Sequence, residues 1–260
     1  MTDENKEAKS SVFGHLIELR TRLIHSFIFL IIAFCVCYYF SEQIYSYLVK
    51  PYSDAILESK LDRRLIFTAL HEAFLTYLKV SFFAAFFLTS PIFLIQIWKF
   101  IAPGLYQNEK KTLLPYLIAT PILFLTGGLI VYYFIMPLAI KFFLSFESSG
   151  TLTTIPIELE AKVNEYLSLI MRLIFAFGVS FQLPILLNLL ARVGVVNSEY
   201  LKKTRRYVIV IIFTIAAILT PPDPITQVGL AIPLLLLYEL SIITVRFTEK
   251  KNNKDDIEDA

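Results

Sequence analysis

The sequence predicts an all-α, polytopic membrane protein: six transmembrane helices, kinked and gathered into a concave bundle, with the N-terminus and C-terminus cytoplasmic. Three observations carry that prediction. Hydrophobic residues make up 56% of the 260, charged residues only 18%, and the mean hydropathy is +0.64, far too apolar for a soluble domain of this length. Six apolar runs stand where crossings of about 30 Å of hydrocarbon are expected, and none shows the period of two of a barrel strand. Lysine and arginine, finally, collect on one side of those runs.

The elements follow in order. A polar N-terminal stretch of about a dozen residues lacks the small-residue cleavage pattern of a secretory signal, so the first run, Leu23–Phe40, is expected to stay in the mature protein. Cys35 and Cys37 sit two apart inside it, where a helix points them to different sides and no bridge can close. Further runs cover Phe74–Phe100, Leu113–Phe134, Tyr166–Leu190, Tyr207–Leu219 and Gln227–Val245. The thirteen residues of the fifth run reach only roughly 20 Å at about 1.5 Å each. Either the bilayer thins around a short helix, or Tyr200–Arg206 continue the same helix through the interface. Long loops are expected at 41–73 and 135–165, and a tight turn at Thr220-Pro221-Pro222-Asp223-Pro224. No linker or repeat divides the chain, so residues 1–260 read as one domain with short polar tails at 1–12 and 248–260.

The charges orient it. One side holds Lys6, Lys9, Arg20, Arg22, Lys99, Lys110, Lys111, Arg192, Lys202, Lys203, Arg205, Arg206, Arg246, Lys250, Lys251 and Lys254. The other holds Lys50, Lys60, Arg63, Arg64, Lys141 and Lys162. The richer side is the cytoplasmic one, and it carries both termini. A formal charge of +2 spread between apolar blocks argues against nucleic acid as a partner.

Prolines 91, 115, 121, 184 and 233 fall inside the runs. Each removes a backbone hydrogen bond and tends to kink its helix, and kinked helices can enclose a concavity. Few polar residues share those runs. Gln182 is expected to face the bundle interior or a cavity, since an intramembrane polar group avoids lipid. Lys79 and Arg172 can snorkel to the exported interface, and Glu239 can pair with Arg246 or another cytoplasmic cation. Gly127-Gly128 reads as helix packing or flexibility. The three histidines, His15, His25 and His71, are scattered, no metal-ligand spacing or phosphate loop occurs, and no cofactor is implied. An enzyme is not expected.

The sharpest feature is His15–Leu23, His-Leu-Ile-Glu-Leu-Arg-Thr-Arg-Leu, running straight into the first span. A membrane anchor needs only cations at its cytoplasmic end. Glu18 among hydrophobic residues asks for a partner, either Arg22 at i,i+4 or a cationic peptide.

Four separated segments together resemble the TatC family: His15–Leu23; Ile-Ala-Pro-Gly-Leu-Tyr-Gln-Asn-Glu-Lys-Lys at 101–111; Phe-Gly-Val-Ser-Phe-Gln-Leu-Pro at 177–184; and Leu-Thr-Pro-Pro-Asp at 219–223. The resemblance runs from about residue 12 to 248 in the right order. It implies the signal-peptide-binding component of the twin-arginine protein translocase, which exports folded proteins using the proton motive force. It also implies partners, single-span subunits of the TatA and TatB types and twin-arginine signal peptides, in homo- and hetero-oligomers within the lipid of a bacterial inner membrane.

By that resemblance Glu18 and Glu109 together recognise consecutive arginines, with Arg20, Phe100, Leu105 and Tyr106 as neighbouring positions. The chemistry is reasonable, because a carboxylate accepts the planar fork of a guanidinium in bidentate fashion and lysine cannot reproduce it. Gln182 stands where the family usually carries glutamate, a departure that keeps hydrogen bonding but removes a charge. Gln227 lies on the helices that the family uses to dock single-span partners, and Asp223 is expected to cap or orient the tight turn. A small-solute secondary transporter is the alternative. It would place a coupling-ion site at mid-membrane and often an internal repeat, neither of which the sequence displays. A membrane scaffold without transport is the blander reading.

Overall fold

Long helices account for nearly all of the computed structural model, which describes residues 4–59, 64–101, 110–148, 155, 157–192, 194–220 and 223–258. They are α1 (Glu4–Tyr39), α2 (Ser41–Ser59), α3 (Glu72–Ile101), α4 (Lys110–Ile130), a π-helical turn (Val131–Ile135), α5 (Met136–Leu144), α6 (Val163–Ser180), α7 (Leu183–Arg192), α8 (Ser198–Leu219) and α9 (Pro224–Glu258). Among the described residues, five stretches are long and apolar enough to cross a membrane: Ile17–Tyr39, Glu72–Ile97, Pro115–Leu144, Val163–Arg192 and Pro224–Glu249.

The remaining expected span is α8. It begins at Ser198, so Tyr200–Arg206 do continue the helix, and its 22 residues rise about 33 Å. The alternative of a short helix that thins the bilayer is not what the chain adopts. Helix α8 lies antiparallel to α9 throughout: Ser198 meets Glu249, the Tyr238 hydroxyl donates to the Leu201 carbonyl at 2.8 Å, and Gln227 Nε2 donates to the Phe213 carbonyl at 3.3 Å.

Helix α6 is the centre of the core. Val163, Tyr166, Leu167, Ile170, Met171, Leu173, Ile174 and Phe177 are buried at the three- and four-residue spacing of one helical face. They pack with α2, α3, the π turn, α5, α8 and α9 in one continuous cluster. By contrast α1 is peripheral. Its buried side chains, Ser26, Leu30 and Cys37, form one stripe against α3, and most of its apolar surface is left for lipid. Cys35 is exposed and Cys37 buried, as the 200° between them requires.

Two kinks have clear causes. The π turn carries one extra residue, with the Met136 N–H bonding to the Val131 carbonyl, directly before Pro137. The fourth span breaks at Phe181–Gln182, where Gln182 N–H turns back to the Val179 carbonyl at 3.0 Å, and Pro184 cannot donate to restore the ladder. Pro91, Pro115, Pro121 and Pro233, also expected to kink their spans, lie inside continuous helices. The third and fourth spans cross where Gly127 and Gly178 meet. A Cβ on Gly127 would lie 2.8 Å from the Phe177 carbonyl oxygen, so the glycines there serve close packing.

Several expectations are corrected. The segment 41–73 is not a long loop, because it contains α2, whose Leu48, Tyr52, Ala55 and Ile56 are buried on one face. Helix α2 is sewn down by two tyrosines: Tyr132 donates to the Tyr47 carbonyl at 2.7 Å, and Tyr166 to that of Leu48 at 3.0 Å. The third span does not end near residue 134; it continues through the π turn and α5 to Leu144. Two isolated bridges, Ile66 with Lys162 and Ser148 with Ile157, then close the connections at this end. The polar ends are helical where described, with α1 starting at Glu4 and α9 running to Glu258, which leaves the expectation of polar tails untouched.

Candidate functional site

Glu18 sits on the inner stripe of α1, four residues before Arg22, so the two side chains meet one turn apart. Arg22 Nε and Nη2 both donate to Glu18 Oε1, at 3.0 and 2.6 Å. Arg22 Nη1 donates at 2.9 Å to Oε1 of Gln96 on α3. The result is a carboxylate–guanidinium–amide chain that joins α1 to α3 at one end of the bundle. Side-chain exposures of 27% for Arg22 and 39% for Glu18 keep it within reach of a ligand. The i,i+4 ion pair weighed from sequence therefore forms, and it is one half of a larger arrangement.

Arg20 is exposed on the other side of α1, two residues and about 200° from both Glu18 and Arg22. The structure does not bring it to this chain of contacts. Phe100 lies in the last turn of α3, but its side chain, together with Leu105, Tyr106 and Glu109, lies outside the described residues.

Gln182 occupies the break between α6 and α7 and is buried. Its Nε2 donates to the Thr120 carbonyl of α4 at 3.0 Å, while Oε1 is buried with no partner. The amide thereby ties the break in the fourth span to α4.

The α8–α9 hairpin holds the other three polar positions. Asp223, buried just before α9, accepts the Thr226 N–H at 2.7 Å and the Thr226 hydroxyl through its second oxygen. That is an N-cap, and it fixes the entry angle of α9. Gln227 is half-buried on the α8 side. Glu239 pairs at 2.7 Å with Arg205, the neighbouring cation across the hairpin, and not with Arg246.

Three further contacts escape a reading of local pattern. Gln96 is one, although an amide in an apolar run is the signal that singled out Gln182. Glu249 on α9 accepts both the N–H and the hydroxyl of Ser198, at 2.7 and 2.6 Å, and so caps α8 from outside. Asn188 donates to Thr244 Oγ1 at 2.6 Å and accepts from Thr248 Oγ1 at 3.1 Å, joining α7 to α9. Lys79 donates to Asn164 Oδ1 at 2.8 Å, and Arg172 is exposed.

A bundle whose polar groups join apolar helices to one another and gather near their ends defines a polytopic membrane protein. Comparison with known proteins narrows that class. The sequence profile of the family described as Sec-independent protein translocase protein (TatC) matches residues 14–233. The Sec-independent protein translocase protein TatC of Magnetococcus marinus is 49% identical over 250 residues, covering 96% of this chain and 89% of the relative. That of Rickettsia prowazekii is 50% identical over 235 residues, covering 90% and 92%. A crystal structure of a twin-arginine translocase receptor, TatC, matches with a TM-score of 0.75 at 39% identity, covering 90% of this chain and 99% of that one. The chain belongs to the TatC family. It is a component of a Sec-independent protein translocase, a multi-pass protein of the inner membrane that works in a system with partner subunits.

Proposed function

We propose that the chain acts as one unit over residues 1–260, crossing the membrane six times with both termini cytoplasmic, and binds twin-arginine signal peptides on that face. Glu18 and Glu109 each accept one guanidinium of the paired arginines. Subunits of the TatA and TatB types assemble on it, with Gln227 and Glu239 on the hairpin they meet, for the export of folded proteins driven by the proton motive force. The chain itself makes and breaks no covalent bond.

One observation carries this reading: the Glu18–Arg22–Gln96 chain holds a carboxylate beside α3. Gln96 stands five residues before the end of α3 at Ile101, about 7.5 Å along its axis, and the segment bearing Glu109 departs from there. A carboxylate fixed on α1 and one carried by the next connection can then address two adjacent side chains of one peptide. Arg22 already draws on Glu18 Oε1, so an incoming guanidinium joins a carboxylate that is oriented before it arrives.

A charge-assisted hydrogen bond is worth about 1.5–3 kcal/mol net, so losing either glutamate weakens binding roughly 10- to 100-fold. The test is titration of the purified chain with a fluorescent signal peptide carrying Arg-Arg or Lys-Lys. Arg-Arg should bind at least tenfold tighter, and Glu18→Gln and Glu109→Gln should each remove most of that advantage. Equal affinity for the two peptides, or variants that bind like the parent chain, would overturn the mechanism.

A further inference from the structure

Two recesses meet on the outer side of α2. One, of about 450 Å³, is walled by Ile44, Phe83, Ala84, Leu88, Leu125 and Leu129 and exposes almost only carbon. The other, of about 260 Å³, is lined by Lys50, Asp54, Glu58, Tyr133 and Lys141. Tyr47 and Tyr132 border both, with their rings stacked 4.6 Å apart. They form a sill between an apolar and a charged compartment, where membrane proteins place aromatic residues at the headgroup level.

The dimensions match one leaflet. Leu125, in the apolar recess, and Lys141, in the charged one, are sixteen residues apart on one nearly continuous helix, which is about 24 Å. Half a bilayer with its headgroups is roughly 20–22 Å. Helix α2 climbs in parallel, from Ile44 in the apolar recess through Tyr47 to Lys50, Asp54 and Glu58. The charges select the occupant. Two cations and two carboxylates face the upper recess, and Lys141 holds Glu58 at 2.7 Å. With both lysines matched by carboxylates, the recess offers an anionic headgroup no net positive charge, and Asp54 and Glu58 give it no donor. A choline headgroup has no N–H to give them, whereas a primary ammonium does, and its phosphate has the lysines and the tyrosine hydroxyl as counterparts.

We propose that this double recess binds one phospholipid with a phosphoethanolamine headgroup, in the leaflet on the α2 side of the membrane. An acyl chain lies against Phe83, Leu88 and Leu129; the phosphate is received by Lys50 and the Tyr133 hydroxyl; the ammonium is received by Asp54 and Glu58. The site is separate from the Glu18 end of the bundle and does not depend on signal-peptide binding.

Native mass spectrometry of the full chain tests it, with phosphatidylethanolamine, phosphatidylcholine and phosphatidylglycerol of matched acyl chains supplied together. The first lipid adduct should favour phosphatidylethanolamine roughly tenfold, the worth of one charge-assisted hydrogen bond. Asp54→Asn with Glu58→Gln should shift the preference to phosphatidylglycerol. Lys50→Glu, at an exposed position that should not disturb folding, should lower phosphatidylethanolamine adducts roughly tenfold. Equal adducts of the three lipids, or an unchanged preference in either variant, would overturn the proposal.

Discussion

Replacing Asp223 with alanine removes the cap of α9 in the α8–α9 hairpin. Its carboxylate accepts the Thr226 N–H at 2.7 Å and the Thr226 hydroxyl, and both residues are buried, at 5% and 1% exposure. Water is therefore poorly placed to substitute. Loss of an N-cap costs about 0.5–2 kcal/mol, and the stranded hydroxyl about 1–3 kcal/mol more. The two costs overlap, and a total near 2–4 kcal/mol is expected for Asp223→Ala. Asp223→Asn keeps an oxygen for the N–H, and its amide N–H can donate to the Thr226 hydroxyl oxygen where the carboxylate accepted from it, so the main loss is the charge at the helix start, about 0.3–1 kcal/mol. For a chain of this size 1 kcal/mol moves the midpoint by about 2–4 °C, so alanine should lower it by roughly 4–16 °C and asparagine by a few degrees at most. The assay is heating of the detergent-purified chain, followed by size-exclusion measurement of the monodisperse fraction. Alanine no worse than asparagine, or both within about 1 °C of the parent, would refute the cap as the source of hairpin stability.

Four other outcomes are expected in the same assay. Gly127→Ala sets a methyl 2.8 Å from the Phe177 carbonyl and 3.0 Å from the Gly178 nitrogen, so the two spans must separate, at about 1–3 kcal/mol. Gly128→Ala should cost less, because its nearest neighbour is the tip of the Phe87 ring. Gln182→Met loses the bond to Thr120 but also removes a buried unpaired oxygen, and stability should stay within about 1 kcal/mol of the parent. Arg205→Ala breaks an ion pair whose partners are 46% and 45% exposed, and it should cost less than about 1 kcal/mol.

Legibility in the sequence followed the range of the interactions concerned. Length and apolarity located the membrane-crossing helices because each of those helices is decided by its own residues. Helix α2 escaped because it is half-polar and contains Pro51; its five buried residues make a face only once Tyr132 and Tyr166 arrive from other helices. The burial of Gln182 was readable from one amide in an apolar run, whereas the kinks were not readable from proline alone. Pro184 marks a break and Pro91 none. Glu18 was readable as an acid needing a partner, and Arg22 as a candidate. Gln96, 74 positions away from Arg22, enters only through the packing of α1 on α3. The same holds for Glu249, which caps a helix whose first residue lies 51 positions earlier.

The π turn at Val131–Ile135 sets the rotational phase of the third span. Before it, the buried face runs through Thr120, Phe124, Gly127 and Val131; after it, the buried face is Met136, Ala139, Ile140 and Leu144. The wide turn takes up one residue more than an α-helical turn, so Met136, Ala139, Ile140 and Leu144 continue in space the face that ends at Val131, although their numbers fall one out of step with it. Drawing the same residues into plain α-helix would turn everything beyond by about 100°, carrying Lys141 away from Glu58 and Met136 and Ile140 out of the core. Deleting one residue of the turn removes the surplus instead and leaves the faces of α5 where they are, so this stretch should tolerate a one-residue deletion that the regular part of α4 does not.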